Sequence, residues 1–503
     1  MVALSANRAP AREAPPAKRR GRELALLVFA VLVTVAGQCI VDITLTGSVR
    51  AQIAEFTVWI AVLWAGAHLA VRRWVPYADP LLLPAVALLV GLGLAEIHRL
   101  DLADLHRGQP GVNDAQTQLV WATLGVGLFV AVLLLVRSHR TIAQYSYTLG
   151  LVGLVLLALP GLLPASLSQV NGAKLWIRLG GFSIQPGEFA KICLIAFFAA
   201  YLDEKRDVLT IAGRRVLGVQ LPRGRDLGPV LVAWGLSLVV LLVEHELGNS
   251  LLIFGIFMVM LYVATQRASW LVIGLVLFAA GATFAYSILG YVRARVEVWL
   301  DPFAYRNTTG YQSVQALFGL GNGGIFGSGL GGGRPQLIPI AKSDFITGAL
   351  GEELGLFGLV AVILLYALIV ERGLRTALLV RDPFGKLFAA GLSFAIAWQV
   401  FLIIGGVTGL LPLTGLTTPF LSQGGSSLVA NFALIALLMR ISDAGRRPAA
   451  PHPPRPARLA DAATELVELS AAGDPIAGHG PGGPVRPGRR QHVPGDGRDD
   501  RDG

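Results

Sequence analysis

A carboxylate that is to take a proton during catalysis must be held close to its substrate, and Asp344 in Ser343-Asp344-Phe345 has a sequence setting suited to that. It follows Gly319 to Gly333, nine glycines in fifteen residues, where the backbone can approach a ligand closely. The same stretch of chain carries Arg293, Arg295, Arg306, Arg334 and Lys342, cations suited to an anionic ligand. Gly319, Gly321 and Gly324 fit G-x-G-x-x-G, but no strand precedes them and no βαβ unit surrounds them, so a dinucleotide fingerprint is excluded. A backbone N–H nest for phosphate and a plain flexible linker both stay open. Asp344 also stands where an apolar run begins. Capping that helix N-terminus, worth about 1 kcal/mol, is the commoner role for such a residue.

Further polar residues lie inside or beside apolar runs. Glu188 and Lys191, three apart, share a helix face and are expected to pair in the membrane. Just before them, Asn171 to Lys191 offers Trp176 as an interfacial anchor with Lys174 and Arg178 nearby. Glu244, His245 and Glu246 carry metal-ligating types, but three consecutive side chains diverge around a helix, which disfavours a metal site. Glu352 and Glu353 lie one turn into a run and need water, a cavity or a cation. Leu410 to Leu428, broken by Pro and Gly, reads as a re-entrant segment that only protein or a water-filled cavity can shelter.

The elements that must position these residues are membrane helices. The 503 residues are 54% apolar and 15% charged, against about 25% charge in ordinary soluble domains. A span needs roughly 20 apolar residues. Runs near 23–44, 55–71, 79–97, 118–136, 144–163, 186–202, 228–245, 248–266, 269–290, 348–371, 386–408 and 425–441 qualify or nearly so, which predicts an all-α polytopic bundle of about twelve helices. The charged run at 186–202 is the weakest. With the N-terminus inside, the cytoplasmic segments hold 21 Lys and Arg and the opposite ones 10, so both termini are expected in the cytoplasm. Residues 1–22 form a basic cytoplasmic start with no convincing cleavage site, 23–445 the membrane domain, and 446–503 a tail too poor in apolar residues to order itself. The segment 291–347 is the long outside loop. A net charge of +10 in such a chain points to orientation and anionic lipid rather than nucleic acid. Cys39 and Cys193 lie inside apolar runs and read as inert thiols.

In this order, NGAKLWIRLGGFSIQPGEFAK, HELGNSLL, YQSVQALFGLGNGGIFGSGL, SDFITGALGEELG and LPLTGLTTPFLSQGGSSL resemble the SEDS family, the shape, elongation, division and sporulation proteins of the bacterial cell wall. The resemblance covers roughly 165–445. LPLTG (Leu411 to Gly415) is closer to the rod-shape, RodA-type branch than to the division, FtsW-type branch. Departures are QPGE for the usual QPSE, HELGN for PDLGT, and KSDF for HTDF, which puts Lys342 beside Asp344 and is expected to lower that carboxyl's pKa. The family usually has ten spanning helices, and this chain is expected to have two more, placed before the first shared motif.

The resemblance implies a peptidoglycan glycosyltransferase that polymerises lipid II at the outer face of the cytoplasmic membrane, partnered by a class B penicillin-binding protein. It turns the preference at Asp344 from capping to general base. Arg293, Arg295, Arg334 and Lys342 become candidates to hold the departing pyrophosphate, with a divalent cation (Mg or Mn) as candidate cofactor. Trp176, Glu188, Lys191, Gln312 and Ser426 complete the expected substrate-binding set. The rival readings are a lipid II flippase or secondary transporter, which two matching halves would favour and which the one-sided motifs disfavour, and a scaffold, which leaves the Asp344 loop unexplained.

Overall fold

The computed structural model describes residues 20–108, 113–170, 173–179, 182–210, 215–216, 219–220, 228–244 and 247–448, all within one compact unit, Met1–Pro448. His245, Glu246, most of the basic N-terminal segment and nearly all of the expected tail lie outside the described residues.

Among the described residues the chain is all-α apart from three two-stranded hairpins. Each of the twelve apolar runs is a helix: α1 (Arg20–Thr46), α2 (Gln52–Trp74), α3 (Leu82–His106), α4 (Asp114–Leu135), then, after a short α5 (His139–Gln144), α6 (Ser146–Leu162). A four-residue α7 (Ala165–Ser168) and two hairpins, β1–β2 (Gln169–Val170, Ala173–Lys174) and β3–β4 (Ile177–Leu179, Phe182–Ile184), lead into α8 (Pro186–Thr210). After β5–β6 (Arg215–Val216, Val219–Gln220) come α9 (Gly228–Glu244), α10 (Leu247–Thr265) and α11 (Ala268–Ile288). Last are α12 (Gly290–Leu300), α13 (Tyr311–Gly323), α14 (Ile346–Leu379), α15 (Pro383–Val407) and α16 (Gly425–Arg446). Among the described residues nine of these helices are long and apolar enough to cross a membrane. The count falls short of twelve because α6 and α9 have 17 residues each and α8 carries Glu188, Lys191 and a charged end.

Helices that are apolar all round can be buried or can face lipid. α3 and α16 are enclosed along nearly their whole length, whereas α11 turns Val272, Leu275 and Val276 outward. Small residues let the inner helices approach closely. Gly125 of α4 leaves room for the Phe432 ring of α16, where a Cβ would come within 2.4 Å of Cδ2. α15 starts on Pro383 with Asp382 capping it, the carboxylate accepting from Gly385 N at 2.9 Å.

The stretch 291–347 is not a structureless loop. It holds α12, α13 and a 3-10 turn at Pro335–Leu337, and it packs on the start of α14. The non-helical stretch between α15 and α16 is sheltered by protein, as a broken segment at membrane depth must be: Thr414, Leu416 to Ser422 are buried.

Candidate active site

The Gly-rich stretch is neither a free phosphate nest nor a linker, because the protein supplies its own anions. Gly331 N donates to Glu353 Oε2 at 3.1 Å and Arg334 N to Glu352 Oε1 at 2.9 Å. Ser328 N and Gly329 N donate to the carbonyls of Glu352 and Glu353 at 3.0 and 2.9 Å. Such backbone-to-backbone packing requires glycine. A Cβ on Gly327 (φ +82°) would lie 2.1 Å from Glu353 O, and Gly355, where α14 is kinked at φ +66°, would meet Gly327 N at 2.2 Å. Glu352 and Glu353, expected to need water or a cation, are buried acceptors for this stretch. The cation is Arg99 of α3, which donates from Nε to Glu353 Oε1, from Nη1 to Gln336 Oε1 and from Nη2 to Gly333 O at 2.6 Å.

Asp344 follows this packed stretch and is half-buried. It does not cap α14, whose N-cap is Phe345 without a side-chain cap bond. Its Oδ1 accepts from Ser343 Oγ at 2.9 Å. Burial pushes its carboxyl above the usual aspartate range, against the Ser343 hydrogen bond and the Arg295 charge, which pull it down. The expected lowering by Lys342 is therefore corrected. The cation acting on Asp344 is Arg295, and Lys342 points elsewhere: its Nζ donates to Asp101 Oδ1, Asp104 Oδ2 and Asp114 Oδ2 at 2.8, 2.7 and 2.9 Å.

Arg295 is brought to Asp344 by α12 and by the broken segment. Its Nη1 donates to the carbonyls of Leu413 and Thr414 at 3.2 and 3.1 Å. The next residue, Gly415 (φ +78°), is the spacer: a Cβ there would lie 3.6 Å from the Arg295 guanidinium and 4.0 Å from Asp344 Oδ2. Arg295 also lines a cavity of about 570 Å³ with Tyr291, Trp299, Gln312, Pro339 and Leu413. Trp299 fixes its far wall by donating to Gly409 O at 2.9 Å. Burial pushes the Tyr291 phenol up to about 12 despite Arg295, so it stays neutral and is no rival base.

Of the expected site residues, the structure thus brings Arg295 beside Asp344, and Arg295 shares with Gln312 the lining of a cavity that Asp344 does not line. Arg293 is exposed and turned back, donating to Tyr286 O and Ser287 O and stacking 5.7 Å over the Tyr286 ring. The exposed Arg334 engages the Glu352 carboxylate through its backbone N–H. Trp176, half-buried between the two hairpins, donates its backbone N–H to Ser168 O. Glu188 and Lys191 do pair, at 2.6 Å, but deep in the bundle, where the ammonium also donates to Gln399 Oε1 at 2.9 Å and Asn431 Oδ1 at 3.3 Å. Its three N–H donors are thereby used, and Gln399 Nε2 in turn donates to Thr417 O at 2.9 Å. Ser426 is buried and accepts from Gln185 N at 3.1 Å, fixing the entry to α8.

Sequence reasoning missed Arg99, Asp101, Asp104, Asp114, Gln118 and Gln399. The signal for the first three was arginine and aspartates spaced along the end of one apolar run. Among the described residues no group of three or more His, Cys, Asp or Glu is placed to hold a metal, and the three aspartates that converge do so on an ammonium.

Comparison with known proteins gives the chain's relatives. The cell cycle protein model FTSW_RODA_SPOVE matches residues 80–447. The peptidoglycan glycosyltransferase RodA of Mycobacterium tuberculosis is 52% identical over 92% of this chain and 98% of its own. A probable peptidoglycan glycosyltransferase FtsW of Geobacter metallireducens is 34% identical over 65% of this chain and 84% of its own. Among solved structures, a chain of a peptidoglycan synthase complex that coordinates polymerization and crosslinking aligns with TM-score 0.58 and 27% identity, over 73% of this chain and 97% of that one. A Thermus thermophilus rod shape determining protein RodA, in an aspartate-to-alanine mutant form, aligns at 0.52 and 26%, with the same coverage.

Proposed function

The chain belongs to the FtsW/RodA/SpoVE cell cycle protein family, on its RodA-type side, and from that premise we propose how it works as a peptidoglycan glycosyltransferase. Its substrate is lipid II, polymerised into β-1,4 glycan at the outer face of the cytoplasmic membrane. The end of the bundle that carries Asp344 faces outward, and both termini lie inside. The observation that carries this reading is Asp344 set beside Arg295 across Gly415, next to a cavity large enough for a sugar.

In the reaction, Asp344 accepts the proton of the acceptor's 4-hydroxyl as that oxygen attacks the anomeric carbon of the donor. The new C–O bond forms as the bond to the diphosphate oxygen breaks, and undecaprenyl pyrophosphate leaves with the electron pair. Attack opposite the leaving group inverts the α-diphosphate to a β-linkage. The raised pKa of Asp344 suits a base, since a more basic carboxylate takes a proton more readily. Arg295 balances charge developing on the pyrophosphate, and Gln312 hydrogen-bonds sugar in the cavity. No step is assigned to a divalent cation. The crosslinking partner is a class B penicillin-binding protein.

The test is purified protein in lipid vesicles with lipid II, with and without that partner, scored for glycan polymer. Polymer from the wild type and none from Asp344→Asn supports the reading. Movement of lipid II across the bilayer without polymer overturns it in favour of a flippase.

A further inference from the structure

Lys342 stands two residues before Asp344, and its side chain reaches away from it. Three N–H donors meet three carboxylates, Asp101 and Asp104 from the end of α3 and Asp114 from the start of α4. Three like charges gathered this closely repel one another without a cation between them, so the cage depends on this one lysine. The backbone beside it is held from the other side. Gln423 N donates to Lys342 O at 2.7 Å, and Ser422 Oγ donates to Ser343 O at 2.6 Å. Ser422 and Gly424 are fixed in turn by Gln118 of α4, which donates from Nε2 to Ser422 O at 2.9 Å and accepts from Gly424 N at 3.2 Å. Earlier in the same stretch, Arg99 of α3 grips Gly333 O, and Arg107, just past the end of α3, grips Gln336 O at 2.8 Å. The chain is thus clamped at 333, 336, 342 and 343, and the next residue is Asp344.

We infer that Lys342 is a positioning residue for the polymerisation reaction: its ammonium, caged by Asp101, Asp104 and Asp114, fixes the segment that presents Asp344 to Arg295, and it does not touch substrate. This rests on the reading of Asp344 as the base. It differs from a role in holding pyrophosphate, because the three N–H donors of the ammonium are already spent on the protein's own carboxylates.

The experiment measures kcat and KM for lipid II, and the acid limb of kcat against pH, in the full chain reconstituted in vesicles. The variants are Lys342→Met, the triple variant Asp101→Asn/Asp104→Asn/Asp114→Asn, and the quadruple variant combining both. The quadruple variant removes both sides of the clamp, so no uncompensated charge is left to unfold it. Expected are a kcat at least tenfold lower with KM within twofold in all three. The acid limb should shift to lower pH as Asp344 becomes solvated. The losses should not add in the quadruple variant, since each removes the same clamp. A tenfold rise in KM with kcat and acid limb unchanged in Lys342→Met would show an anion-binding lysine and overturn the inference. So would a triple variant at wild-type kcat beside an impaired Lys342→Met, or a quadruple variant within twofold of wild type. Asp344→Asn is run in parallel. If it polymerises normally, the base reading fails and takes this inference with it; if it is inactive while the Lys342 variants are normal, only this inference fails.

Discussion

At Asp344 the same burial has two consequences that pull in opposite directions. A general base contributes about 10²–10⁴-fold, so Asp344→Asn should lose at least a hundredfold in polymer formation, measured on purified protein. Burial also raises its pKa in the folded state. At low pH the carboxyl is protonated whether folded or not and costs nothing. As pH rises through the unfolded and then the folded value, the buried charge becomes a penalty, fully present above the folded pKa. Asp344→Asn should therefore unfold at a higher temperature than wild type at pH 7.5, and the difference should vanish below about pH 3. A lower unfolding temperature at neutral pH would mean that the charged carboxylate stabilises the fold. The importance of Asp344 was legible from its glycine-rich, basic surroundings, and Arg295 was one of five cations named there. What was not legible was which cation meets it. Lys342 is nearer in sequence, but a side chain goes where its partners are, and its partners lie more than two hundred residues earlier on α3 and α4.

Among the elements, α3 and α14 trap the glycine-rich stretch between Arg99 and the Glu352–Glu353 pair. Removing one partner of a buried ion pair leaves the other uncompensated, at a cost of about 3–5 kcal/mol. Arg99→Met, at an almost fully buried side chain, leaves Glu353 without its cation and should lower stability by about that amount in thermal unfolding. Gly327→Ala, at a left-handed φ with Glu353 O in the way, should unfold the same region at a cost of about 1–3 kcal/mol. Hydrogen exchange at Ser328 and Gly329, whose N–H groups are donated to α14, should report it first; unchanged protection there would refute the packing. The sequence announced that Glu352 and Glu353 needed partners at membrane depth but could not name Arg99, because the pairing spans 254 positions. The twelve apolar runs were legible as helices from hydrophobicity alone. The folding of 291–347 into α12 and α13 was not, since both helices are short, with their apolar faces set by what they pack on.

For the whole molecule, the family match begins at residue 80, after α1 and α2. These two are not idle: Glu23 of α1 meets His68 of α2 at 2.9 Å, and Asp42 of α1 meets His98 of α3 at 2.9 Å. The end of α1 also lies against the glycine-rich stretch, where a Cβ on Gly331 would touch Thr44 at 3.0 Å. Deleting residues 1–76 should therefore raise hydrogen exchange around Gly331 and lower polymerisation several-fold; exchange and activity equal to wild type would make the pair dispensable. Beneath all of these stands the claim that a carboxylate and an arginine, joined across one glycine at the end of a membrane bundle, polymerise a lipid-linked sugar. The most direct test is the glycan product of purified wild-type and Asp344→Asn protein given lipid II in vesicles. Long polymer from the wild type and none from a folded Asp344→Asn is the expected result. Polymer from Asp344→Asn at the wild-type rate would contradict it.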